Sequence, residues 1–199
     1  MYLITVFIHL ILISKYVTLN ISTIKSTIGI NTDKVFTKSR KGNDMDFENS
    51  IIKDYVEKAL KKLYAQDSYL IVNHPSGNQQ DCHVSERGIV FRFGIYFQEL
   101  ISTTPLNEFN LDVEYNRNMY EKKMLPSFSN GTFPDLILHK RGSNDHNILI
   151  LEFKTWWNHD TTDDEKKISQ FMDVNGKYRY KMGASIILGK NEYDIKWIN

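Results

Sequence analysis

Two acidic residues and a lysine stand where a buried strand would ordinarily carry none. Asp135 directly follows Pro134, and after sixteen intervening residues Glu152 and Lys154 flank Phe153. Alternation along an extended chain sends Glu152 and Lys154 to one face and Phe153 to the other. With residues 133–139 and 148–153 paired as a hairpin, Asp135 at the start of one comes near the end of the other. Asp135, Glu152 and Lys154 then converge at one edge of a sheet. Carboxylates so placed repel and raise each other's pKa unless a divalent cation lies between them. Magnesium prefers a few carboxylates together with water and phosphate oxygens, and a lysine beside it can orient water and offset charge on a phosphate. Hydrolysis of a phosphodiester needs these parts.

The elements that must position these residues are legible around them. Residues 133–139 and 148–153 are continuous apolar runs, the mark of strands covered on both faces, and the polar stretch 140–145 between them is short enough for a hairpin connection. Before them, residues 109–115 alternate, with Leu111, Val113 and Tyr115 on one face and Asp112 and Glu114 on the other. Apolar residues at helical spacing predict a surface helix from Asp46 through Leu63. A second helix over residues 84–101 is apolar on nearly every side and is expected to lie buried against the sheet. A third fits residues 162–174, followed by strands over 184–188 and 193–198, while residues 73–81 read as a loop.

The signature Pro134-Asp135, sixteen residues, Glu152-Phe153-Lys154 resembles that of the PD-(D/E)xK nuclease superfamily, the restriction-endonuclease-like fold. The runs Ser85-Glu86-Arg87, Asp112-Val113-Glu114-Tyr115-Asn116-Arg117 and the stretch from Pro134 to Gly142 are similar to those of uncharacterised prokaryotic members, and the resemblance covers residues 84–188. It implies an α/β fold whose core is a helix, a three-stranded meander, a helix and a strand, with a mixed central sheet flanked by helices. It implies that Asp135 and Glu152 bind Mg²⁺, with Mn²⁺ able to substitute, that Lys154 is the catalytic lysine, and that the reaction is hydrolysis of nucleic acid, with DNA the expected substrate. An acidic residue on the first core helix often reaches the metal in this superfamily. Glu86 matches that position, as a catalytic and metal-binding residue, against the plainer reading of a helix-start carboxylate favoured by the macrodipole. Members often act as dimers, so a homodimer is an implied partner without a sequence signal of its own. A catalytically silent version, serving as a nucleic-acid-binding or defence-associated accessory protein, is the alternative.

Other residues carry two readings each. Lys166, Lys167, Arg179 and Lys181, interleaved with Tyr178 and Tyr180, could grip the phosphate backbone and stack on bases, or form a solvated helix end. Glu114 is an outer ligand or a partner for Arg117. Trp156 and Trp157 wall the site or fill core space. His83 beside Cys82 reads as a helix-start residue rather than half of a thiol pair.

The chain has 199 residues, one cysteine and a net charge of +1, which excludes an intramolecular disulfide and gives no electrostatic hint of nucleic acid. That total averages two segments. Residues 1–44 are apolar and then basic, with a net charge of +4; residues 45–199 hold 19 Lys plus Arg against 22 Asp plus Glu. The leader reads as a membrane tether through residues 1–24, as a secretory signal, or as an extension upstream of a natural start at Met45, and the expected domain is residues 45–199. A cytoplasmic location is expected, with a membrane-tethered one as the alternative.

Overall fold

The computed structural model describes residues 41–72 and 83–198. Residues 1–40 of the leader read over 1–44, and with them its three readings, lie outside the described residues, as do the loop over residues 73–81 and Cys82, while its last residues, 41–44, belong to a helix that continues past Met45. Asp46–Asn199 forms one compact unit.

The elements are α1 (Lys41–Asp67), α2 (Glu86–Ile101), β1 (Asn110–Val113), β2 (Arg117–Asn118), β3 (Glu121–Lys122), β4 (Leu136–His139), β5 (Asn147–Thr155), α3 (Thr162–Met172), β6 (Met182–Leu188) and β7 (Tyr193–Ile198). Five strands make a mixed sheet in the order β1-β4-β5-β6-β7. The pairs β1/β4, β4/β5 and β6/β7 are antiparallel, whereas β5/β6 is parallel and is bridged in sequence by α3. The fold is thus α/β, a mixed five-stranded sheet flanked by helices.

Both faces of the sheet are covered, which explains the uninterrupted apolar sequence of its central strands. On one face α1 (Ile52, Val56, Leu60) and α2 (Ile89, Phe93, Phe97) pack against Leu136, Leu138, Leu149, Leu151 and Phe153. On the other, Ile168 and Phe171 of α3 join Ile137, Ile150, Tyr178 and Tyr180. Alternation along β5 therefore sends Leu149, Leu151 and Phe153 to the α1/α2 side and Ile150 to the α3 side. At Gly183 the α3/β6 contact is so close that a Cβ would lie 2.3 Å from Ile168 Cγ2 and 2.7 Å from Met172 Sδ.

The structure departs from the sequence reading at several points. Helix α2 has an outer side: Phe91 and Arg92 are exposed. The strand expected from residue 133 begins only at Leu136, because Pro134 has no N–H for a ladder. The alternation expected through residue 115 breaks at Glu114, whose φ of 54° ends β1 and carries Tyr115 to the α3 side, against the His139 ring. The β2/β3 ribbon, only two residues per strand, left no periodic signal.

Candidate active site

Asp135 sits just before β4, and its Oδ2 accepts a hydrogen bond from the main-chain N–H of Phe153 at 2.7 Å. The β4/β5 register ends at Leu136 opposite Leu151, so β5 runs on past the start of β4 with Glu152, Phe153 and Lys154. The bond from Phe153 ties Asp135 to that overhang. The grouping lies at the end of the sheet's middle strand, not on its lateral edge, because β6 pairs with β5 on the other side.

Helices α2 and α3 supply the rest. Glu86, in the first turn of α2, brings Oε1 to 3.9 Å from Lys154 Nζ. Asp164, in the first turn of α3, holds Oδ2 at 3.0 Å from the same ammonium. Lys167, one turn on, reaches Glu152 Oε2 at 2.7 Å and lies 3.7 Å from Asp164 Oδ1. Two alternating chains of charge result, Glu86–Lys154–Asp164 and Asp164–Lys167–Glu152, with Asp135 beside them.

Burial works against the carboxylates of Glu86, Asp135 and Glu152. It pushes Glu86 up to about 7, the flanking ammonium of Lys154 only partly opposing it. It raises Asp135 despite the Phe153 N–H, and it raises Glu152 well above the ordinary range, with the charge of Asp135 adding to the effect. Burial disfavours the charge on Lys154 and Lys167 as well, yet the carboxylates around them win, and both ammoniums are held more firmly than in water. Glu152 is wholly buried and its Oε1 has no hydrogen-bond partner. An unpaired carboxylate oxygen in that position is costly.

With all groups ionised, four carboxylates face two ammoniums, a formal surplus of two negative charges. The half-buried Asp135 and the buried Glu152 with its unpartnered Oε1 offer the oxygen donors that a hard divalent cation takes. As the side chains stand, the lysines occupy the space between the acids. Among the described residues no three Asp, Glu, His or Cys side chains are gathered closely enough to hold a metal ion.

Two clefts open on this region and share Arg87 and Glu114, which are joined at 2.8 Å. The smaller, about 280 Å³, is lined by Glu86, Val90, Val113 and Asp135. The larger, about 570 Å³, is lined by Thr132, Phe133, Lys154, Asp160, Asp163, Asp164 and Lys167.

The structure thus brings Asp135, Glu152, Lys154 and Glu86 together, and places the remaining candidates as follows. Lys167 turns inward to Glu152, so its charge is spent on the acidic group. Lys166 and Lys181 are exposed, and Arg179 lies 3.6 Å from Asp145. Tyr178 and Tyr180 are core residues against Phe171, which removes them as base-stacking surfaces. Glu114 pairs with Arg87 and not with Arg117. Trp156 donates its indole N–H to Ile71 O at 2.9 Å and Trp157 stacks on His83, so both pack the end of β5 against residues that follow α1 and precede α2.

The sequence reading missed Asp164, and with it the inward role of Lys167. A signal existed: Asp164 shares the buried stripe of α3 with Ile168 and Phe171, at spacings of four and seven residues. A carboxylate on an apolar stripe asks for a buried partner.

Comparison with protein-family models, with curated proteins and with solved structures finds no match to this chain.

Proposed function

We propose that the protein is a Mg²⁺-dependent nuclease of the restriction-endonuclease-like class, cutting DNA by hydrolysis of phosphodiester bonds. The observation that carries this reading is the tie from Phe153 N–H to Asp135, which sets Asp135 beside Glu152 and Lys154 at the end of adjacent antiparallel strands. The element order, a helix, a three-stranded meander, a helix and a parallel strand, supports it. So does the formal surplus of two negative charges that full ionisation would give, which a divalent cation would offset.

Asp135 and Glu152 would hold the cation, with Glu86 completing the acidic wall. Mg²⁺ held there would supply Lewis acidity toward a phosphodiester oxygen. The chain's own groups do the remaining work. Lys154, half-buried between Glu86 and Asp164, is kept protonated and offers a fixed positive charge to a phosphate drawn into the cleft. Lys167 holds Glu152 in place through its Oε2. Glu86, with a pKa near neutrality, can take or give a proton at working pH. Cleavage of single- and double-stranded DNA with Mg²⁺ or Mn²⁺, and its loss in Asp135→Ala, tests the reading.

One observation favours the alternative, a nuclease-like fold that binds without cutting. Each lysine is already paired with a carboxylate, and a charge network closed on itself can simply be structural. Titration with Mn²⁺ separates the two: the silent version binds no ion at Asp135 and Glu152.

A further inference from the structure

Between β1 and β4 the chain leaves the main sheet, folds the β2/β3 ribbon and returns at Asp135. Met119, Tyr120, Met124 and Phe133, half of the exposed large apolar side chains among the described residues, belong to this excursion. Phe133 lies two positions before Asp135, is 51% exposed, and lines the same cleft as Lys154, Asp164 and Lys167. The ribbon borders that cleft too, since Lys122 Cδ lies 3.6 Å from where a Cβ on the cleft-lining Gly131 would be. Phe133 is thus the exposed aromatic ring of this wall; Phe128 also lines it but is half-buried, and the other lining residues are mostly charged and polar.

The charge balance limits what else could hold a nucleic acid here. The compact unit has 19 Lys plus Arg against 22 Asp plus Glu, and the cleft sets Arg87, Lys154 and Lys167 against Glu114, Asp160, Asp163 and Asp164. Affinity for a duplex backbone grows with the number of phosphates that basic groups neutralise, and this surface is poor in that term. Stacking on an aromatic face needs no net charge, but it needs a base whose own face is free. A duplex hides its base faces and offers only edges and phosphates; an unpaired base offers its face.

We infer that the substrate presents an unpaired base, in a single strand or a frayed end, which stacks on Phe133 beside the phosphate to be cut. The inference rests on the nuclease reading for the role of the cleft. Phe133 is a positioning and specificity residue in this account, and the phosphodiester chemistry stays with the charged groups.

The test is binding of the full chain, in EDTA, to a short fluorescent single-stranded DNA and to its duplex, followed by cleavage of both with Mg²⁺. Single-strand binding is expected to exceed duplex binding by about tenfold or more. Phe133→Ala should weaken single-strand binding by about tenfold, leave duplex binding unchanged and melt like wild type, while Phe133→Trp keeps the affinity. A strand carrying 2-aminopurine should be quenched by wild type and by Phe133→Trp but not by Phe133→Ala. Equal binding of strand and duplex, or indifference to Phe133→Ala, overturns the inference. Cleavage separates the two claims. Cutting of both forms at equal rates without dependence on Phe133 removes the stacking inference and leaves the nuclease reading. Phe133-dependent binding with no cutting by folded protein removes the nuclease reading and leaves the stacking surface.

Discussion

Lys167, on the helix that crosses from β5 to β6, reaches back 2.7 Å to Glu152 Oε2 at the end of β5. The contact joins a wholly buried carboxylate to the crossover helix that packs on its face of the sheet, so the site and the α3 docking are held by the same pair. Without it, neither oxygen of the buried Glu152 carboxyl has a hydrogen-bond partner.

Removal of that ammonium is therefore expected to cost stability as well as activity. Lys167→Met leaves Glu152 without its partner and should destabilise the fold by about 3 kcal/mol, read by urea denaturation. Adding Glu152→Gln to the same chain should recover part of the loss, because the uncompensated charge is then gone. A double variant no more stable than the single one would show that the pair is not held as a buried ion pair.

Lys154 behaves differently because it stands at the end of the strand, half-buried, and Asp164 keeps a second lysine nearby. Lys154→Ala is expected to lower cleavage by about 10²-fold or more while the protein still folds, as judged by circular dichroism and its melting temperature. Retained cutting by a folded Lys154→Ala would remove the lysine from the mechanism.

Close packing gives a third expectation. At Gly183 a methyl group would overlap Ile168 and Met172 of α3. Gly183→Ala should cost roughly 1–3 kcal/mol. Since α3 carries Asp164 and Lys167, cleavage should fall with it. An unchanged melting temperature would mean that α3 can shift without loss.

A pH dependence of stability comes from a residue outside the site. Burial pushes the Lys123 ammonium down from 10.5 to about 8, against the opposing charge of Asp112. Its Nζ donates to Arg117 O at 2.8 Å and lies 4.8 Å from the Tyr115 ring centre. Between these two pKa values the unfolded chain holds the proton and the folded chain has released it, so this group makes stability rise with pH from about 8 to 10.5. Below that window its buried charge opposes folding, by at most on the order of 3 kcal/mol. Lys123→Met should be the more stable protein near neutrality, with the gap narrowing as the pH is raised through the window. A gap that stays constant across that range contradicts the assignment.

The parts of the fold that the sequence made legible are those with a strong period or a continuous apolar run. Residues 148–153 announced β5, the spacing from Ile51 to Leu63 announced α1, and Pro134-Asp135 with Glu152 and Lys154 marked the charged group. What escaped was set by tertiary contact or by single backbone angles. The positive φ of Glu114 turned its side chain to Arg87, and no local pattern foretells that. Tyr178 and Tyr180 looked like a basic and aromatic surface because lysines and arginines surround them, yet their rings fill the space under α3. Asp164 was hidden among Asp163, Glu165 and Lys166, where a run of charges suggests a solvated helix start; its place on the stripe with Ile168 and Phe171 is what buries it.

If Asp135, Glu152 and Lys154 form a phosphodiesterase centre, cutting must depend on Asp135 and on a divalent cation. Cleavage of single- and double-stranded DNA by wild type and by Asp135→Ala, each with Mg²⁺ and with Mn²⁺, tests it most directly. Wild type is expected to cut in a metal-dependent way, with a loss of about 10²-fold or more in a folded Asp135→Ala protein. Wild type that is folded yet leaves every substrate uncut, or an Asp135→Ala protein that cuts as well as wild type, would contradict it.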